Sequence, residues 1–159
     1  MDRHGSAHGV GYRRNVQSEF VPGVGDLRLV GRGATASVFL GTMNDDGDRV
    51  AVKVLNVRLT DAADRTRFAQ TLDGVAALSA ERGIARVIDH GLTEGGHPWI
   101  VTEFLPNNLQ DAIDRAGRLP WIEVAAIGAQ IGDALAAAHR RGVLHGDLKP
   151  SDVRFDELR

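Results

Sequence analysis

The sequence predicts an α+β fold in two parts, a five-stranded antiparallel sheet carrying one helix, followed by a smaller helical region. Three observations carry that prediction. Short apolar runs bounded by glycine, asparagine and aspartate recur up to about residue 105. One stretch among them changes to three- and four-residue apolar spacing, and beyond Pro106 that spacing takes over. At 159 residues, with 43% apolar and 25% charged residues, the chain can bury one core or two small lobes like an ordinary globular protein.

Residues 1–25 mix Gly, His, Arg and Ser without periodicity and are expected to form a flexible leader. The first lobe is expected over 26–105 and the second over 106–159. In the first lobe, Asp26–Val30, Ser37–Gly41 and Arg49–Leu55 read as three strands separated by glycine-rich or Asn-Asp-Asp-Gly turns. Residues 61–80 read as a helix, with Thr60 and Asp61 as candidate caps and Phe68, Leu72, Val75 and Leu78 on one face; Gly74 weakens its middle. Ala85–Gly91 and His97–Phe104 supply two more strands, and the pattern breaks at Pro106. The second lobe offers a short amphipathic helix over Asn108–Ala116 and a long alanine-rich one over Pro120–Arg141, with Ile127, Ile131 and Leu135 four apart. Val143–Phe155 reads as a loop entering a short strand.

Composition excludes several classes of function. Nineteen basic and 21 acidic residues leave a formal charge of −2, so nothing favours nucleic acid or an anionic membrane surface. The absence of cysteine excludes disulfides and thiolate metal sites and fits a reducing compartment, so a cytoplasmic location is expected. There is no uninterrupted apolar run of the roughly 18 residues a membrane span needs, nor a signal-peptide core near the start. His4 and His8 are four apart but have no helix signal and no third ligand to make a metal site.

Three motifs carry chemistry. In Gly31-Arg-Gly33-Ala-Thr-Ala36-Ser-Val38 the glycines let backbone approach phosphates, and the strand that follows favours a hairpin flap over a dinucleotide-binding turn. A plain hairpin using glycine for its torsions is the competing explanation. Val50-Ala51-Val52-Lys53 places a lysine within an apolar strand, where a buried ammonium needs an anionic partner such as a triphosphate. The alternative is a lysine on the solvent face of an edge strand. The third and most specific motif is His145-Gly-Asp147-Leu-Lys149-Pro-Ser-Asp152.

Flap, lysine strand and loop, in this order, resemble the bacterial serine/threonine protein kinases of the eukaryotic-like (Hanks) type, over roughly Asp26 to Phe155. The resemblance implies a protein-kinase-like fold that binds ATP and Mg2+, with an N-lobe and an incomplete C-lobe. Gly31, Gly33 and Val38 would cover the nucleotide, Ala51 would touch adenine, and Lys53 would hold the α- and β-phosphates. Thr102 would lie behind adenine, with the backbones of Glu103 and Leu105 as hinge partners for its edge. Asp147 would accept the substrate hydroxyl proton, Lys149 would stabilise the transferred phosphate, and Asp152 would stand at a magnesium-ligand position. Lys149 also implies serine or threonine substrates.

Against that pattern the chain departs in several places. Thr71 stands where a helix glutamate normally pairs with the strand lysine, and Asp73, about 200° further round the helix, would face away if Thr71 faced inward. Gly146 replaces an arginine that receives a phosphorylated activation loop, so regulation by that route is not expected. Arg154 takes an apolar position beneath adenine, where an unpaired guanidinium is costly to bury. No Asp-Phe-Gly follows before Arg159, so little or no kinase activity is expected from these residues alone. The apolar side of the long helix, at Ile127, Ile131 and Leu135, is expected to be exposed and to favour self-association or a protein partner. Besides an ATP-binding kinase module, a pseudokinase-like interaction module and a nonfunctional remnant stay open at this point. A second polypeptide completing the lobe would be a route to activity.

Overall fold

A computed structural model describes residues 21–156. Residues 1–20, with His4 and His8, lie outside the described residues. Val21 and Val24 are already buried and the first strand begins at Val24, so structure starts before the expected leader boundary at residue 25. These two valines sit among glycines, and their apolar signal is lost in that composition.

The first lobe is one antiparallel sheet of β1 (Val24–Arg32), β2 (Ala36–Met43), β3 (Arg49–Leu55), β4 (Val87–Leu92) and β5 (Pro98–Glu103), in the order β1-β2-β3-β5-β4. β3 is therefore the central strand. Its alternation sends Val50, Val52 and Val54 into the core and leaves Ala51 half-buried and Lys53 exposed on the other face. The core joins these valines to Val21, Val24, Val101 and Trp99, each fully buried aliphatic contributing about 1.5–3 kcal/mol. Gly91 and Trp99 are direct cross-strand partners, and the absence of a side chain at Gly91 admits the indole: a Cβ there would come within 2.6 Å of the ring.

The helix α1 (Ala62–Ala76) starts where the Asp61 carboxylate accepts hydrogen bonds from the N–H groups of Ala63 and Asp64, at 2.6 and 3.4 Å. It ends four residues before the expected position at 80, and tight turns carry the chain through Ala77–Glu81 into β4. Leu72 within it and Leu78 just beyond its end are buried.

After Pro106 a two-residue pairing of β6 (Asn107–Asn108) with β7 (Arg154–Phe155) brings the segment that follows the Asp147–Asp152 loop back beside the lobe boundary. Asn108 then caps α2 (Leu109–Ala116), which closes at Gly117 with φ 69°. The long helix α3 (Trp121–Arg140) follows. Ile127, Ile131 and Leu135 are half-buried rather than bare, and the exposed large apolar side chains of this helix lie earlier, at Trp121, Ile122 and Val124. With a mean hydropathy of 1.2 over an 18-residue window, α3 is long and apolar enough to cross a membrane by length and composition, although Glu123, Gln130 and Asp133 interrupt it. The lobes are joined at the end of this helix. Arg141 donates to the carbonyl of Ala77 and, at 2.8 Å, to the Glu81 carboxylate.

Candidate functional site

Strand register assembles the site on the sheet face opposite the core. Gly31 lies opposite Val38, Val38 opposite Lys53, and Lys53 opposite Ile100, so these four share one cross-strand row. The neighbouring row holds Leu40, Ala51 and Thr102. Gly31, Val38, Ala51, Lys53 and Thr102, separate in sequence, are thus brought together. Neither Gly31 nor Gly33 has a positive φ, so turn torsions do not account for these glycines. A Cβ on Gly31 would meet nothing within 4 Å, so the glycine leaves that part of the face bare.

Lys53 is exposed and makes no hydrogen bond or ion pair among the described residues, which corrects the expectation of a buried ammonium. It also lies on the central strand, which removes the edge-strand alternative. Thr71 does not face it with a useful group: its hydroxyl donates to the Arg67 carbonyl of its own helix at 2.8 Å. The side-chain link from α1 to the sheet runs instead from Asp73 to His90 of β4, at 3.3 Å.

At the end of β5, Glu103 is held to Arg86 through both its backbone and its side chain. Its N–H donates to the Arg86 carbonyl at 3.1 Å and its carboxylate accepts from the Arg86 N–H at 2.7 Å. The Arg49 guanidinium covers the Phe104 ring at 4.5 Å from its centroid. Arg154 reaches from β7 to the Leu105 carbonyl at 3.4 Å and is exposed, so the expected penalty for burying it is not incurred.

In the loop after α3, Lys149 Nζ lies 3.2 Å from Asp147 Oδ2, with both side chains largely open to solvent. Asp152 turns back through a 3₁₀ turn over Pro150–Asp152 and its carboxylate accepts from the Lys149 N–H at 3.2 Å. Gly146 has φ 78°, a left-handed conformation that suits glycine and disfavours any side chain, arginine included. Among the described residues no group of three or more His, Cys, Asp or Glu converges as a metal site. Asp152 has one carboxylate oxygen beyond the Lys149 contact; Mg2+ takes one or two carboxylates together with phosphate oxygens and water, and Asp152 fits that limited role.

Sequence reasoning missed Asn56, whose side chain touches the flap, and His90 and Arg141, whose partners lie 17 and 60 or more residues away. The one local signal was an asparagine directly after a strand, a common turn former.

Comparison with known proteins gives the same picture. The protein kinase domain family matches residues 25–158. The serine/threonine-protein kinase PknK of Mycobacterium tuberculosis is 35% identical over 141 residues, covering 87% of this chain and 13% of that protein. Pkn1 of Myxococcus xanthus is 33% identical, covering 80% of this chain and 18% of its own length. The crystal structure of the Mycobacterium tuberculosis PknI kinase domain superposes with a TM-score of 0.67 at 32% identity, over 83% of this chain and 54% of that one. This chain therefore spans about half of a solved kinase domain and a small part of the curated relatives. With its sheet face, hinge and loop in the matching order, the chain belongs to the protein kinase domain family, and the relatives it resembles are bacterial serine/threonine kinases.

Proposed function

We propose that these residues bind ATP between the bare sheet face and the loop of Asp147, as part of a kinase that phosphorylates protein serine or threonine. The cross-strand row of Gly31, Val38, Lys53 and Ile100 carries this proposal, because it sets on one sheet face an ammonium with no ion pair among the described residues and, across Val38, a glycine that leaves open space. An exposed lysine with no partner among the described residues is available to a polyanion without breaking an ion pair there. Val38, Ala51 and Ile100 give that face the apolar surface a purine needs, and the hinge backbone at Glu103 and Leu105 lies at the end of β5.

In the transfer, the substrate hydroxyl oxygen forms a bond to the γ-phosphorus while the bond to the β–γ bridging oxygen breaks. Asp147 takes the hydroxyl proton onto its carboxylate, and Lys149, held beside it at 3.2 Å, places positive charge near the phosphoryl oxygens. Lys53 balances charge on the α- and β-phosphates. Mg2+, when bound with Asp152 as its ligand here, would neutralise charge on the phosphate oxygens.

Calorimetric titration of ATP with and without Mg2+ tests the nucleotide site. Binding is expected, with Lys53→Ala weakening it by about tenfold or more, the scale of a lost charge-assisted contact. No ATP binding by the folded chain would overturn the proposal. Because the 159 residues contain no Asp-Phe-Gly, turnover by this segment alone is expected to be low. Robust Mg2+-dependent phosphorylation that disappears in Asp147→Asn would disprove that.

A second proposal, a protein-interaction module, is favoured by one observation: Trp121, Ile122 and Val124 form an exposed apolar run at the start of α3.

A further inference from the structure

Asn56 follows directly on β3 and reaches back to the glycine flap. Its Nδ2 donates to the Gly33 carbonyl at 3.1 Å and to the Ala34 carbonyl at 2.8 Å, and its backbone N–H donates to the Thr35 carbonyl at 2.8 Å. Both side-chain partners are carbonyl oxygens, which can only accept, so the amide nitrogen must be the atom facing them. Every carbonyl of the tip, Gly33 to Thr35, is therefore tied to one residue. The Gly33 N–H closes the turn by donating to the Ala36 carbonyl at 2.8 Å.

A planar trans peptide points its N–H opposite to its C=O. Holding the Gly33 and Ala34 carbonyls toward Asn56 therefore turns the N–H groups of Ala34 and Thr35 to the other side of the flap. Neither N–H donates to a protein acceptor among the described residues. Successive backbone N–H groups turned the same way form an anion-binding concavity. Lys53, three residues before Asn56 on the same segment, makes no hydrogen bond or ion pair among the described residues.

We propose that Asn56 is a positioning residue that sets the flap tip, before nucleotide arrives, with its Ala34 and Thr35 N–H groups presented to phosphate oxygens. This rests on the ATP-site proposal. It assigns Asn56 no contact with nucleotide. The side chain acts through the flap, replacing an entropic search by the loop with a single arrangement. Its effect must therefore depend on the phosphates and be absent for a ligand that has none.

The test is calorimetric titration of ATP, ADP and adenosine into the full chain and into Asn56→Ala and Asn56→Asp. Asp cannot donate, and it sets a carboxylate against two carbonyls. Asn56→Ala is expected to weaken ATP and ADP about tenfold, the scale of one or two lost hydrogen bonds, and to leave adenosine within about twofold. Asn56→Asp is expected to weaken ATP and ADP further. Hydrogen exchange of a peptide spanning residues 33–37, without nucleotide, is expected to speed up in both variants. Equal losses for all three ligands would show a merely structural residue and overturn the proposal, as would unchanged ATP affinity or unchanged exchange. If the unsubstituted chain binds no ATP, the nucleotide site itself fails and this proposal falls with it. If it binds and Asn56→Ala binds equally, only the positioning role fails.

Discussion

Glycines in this chain serve separate purposes that the sequence does not distinguish. Gly31 leaves open space over the site face, Gly146 supplies a left-handed bend in the loop before Asp147, and Gly91 makes room for the Trp99 ring. A Cβ at Gly91 would lie 2.6 Å from that ring, and neighbouring strands leave the indole little freedom to move. Gly91→Ala should therefore destabilise the first lobe by about 1–3 kcal/mol, the usual cost of overpacking, read as a lower midpoint in urea. An unchanged midpoint would show that the core yields at this point. Within one motif, Asp147, Lys149 and Asp152 lie within six residues and contact one another locally, Lys149 Nζ with the Asp147 carboxylate and the Lys149 N–H with that of Asp152. The exposure of Lys53 was not legible beforehand, because it depends on which face of a central strand the lysine takes.

At the scale of elements, the five sheet strands and the helices were legible from alternation and spacing, since a side-chain period is a local property, while the two-residue β6 was not. Pairings between elements were less legible. His90 meets Asp73 across 17 residues, Asn56 meets the flap across 22 and 23, and Arg154 meets Leu105 across 49. Each follows from a register or crossover that no local window contains. The helix α1 illustrates both cases. Its start was legible from Asp61, while its end was not, because turns over 77–81 compete with helix. Packing against the sheet through Leu72 and the link from Asp73 to His90 hold α1, and the Asp61 cap satisfies its first turn. Asp61→Ala should lower stability by about 1 kcal/mol, with faster amide exchange confined to residues 62–66. Exchange that changes across the whole helix instead would mean that the cap governs its docking as well.

Across the whole molecule, the division into a sheet lobe and a helical lobe follows from the change of period at Pro106, and that much the sequence states openly. What joins the lobes was hidden. Arg141, at the end of α3, binds both Ala77 and Glu81 in the segment after α1, and the β6–β7 pair ties the segment after Pro106 to the one that follows the Asp147–Asp152 loop. The flap and Lys53 on one side, and Asp147 and Lys149 on the other, are thus referred to a common frame, which the proposed phosphoryl transfer would require because such a reaction depends on position more than on covalent chemistry. The chain's two tryptophans fall on either side of this frame. Trp99 is buried in the sheet core with its indole N–H unpaired among the described residues, and Trp121 stands open at the start of α3. Their light emission should differ accordingly: a blue, iodide-resistant component from the first lobe and a red, quenchable one from the second, giving each lobe its own optical reporter without a label.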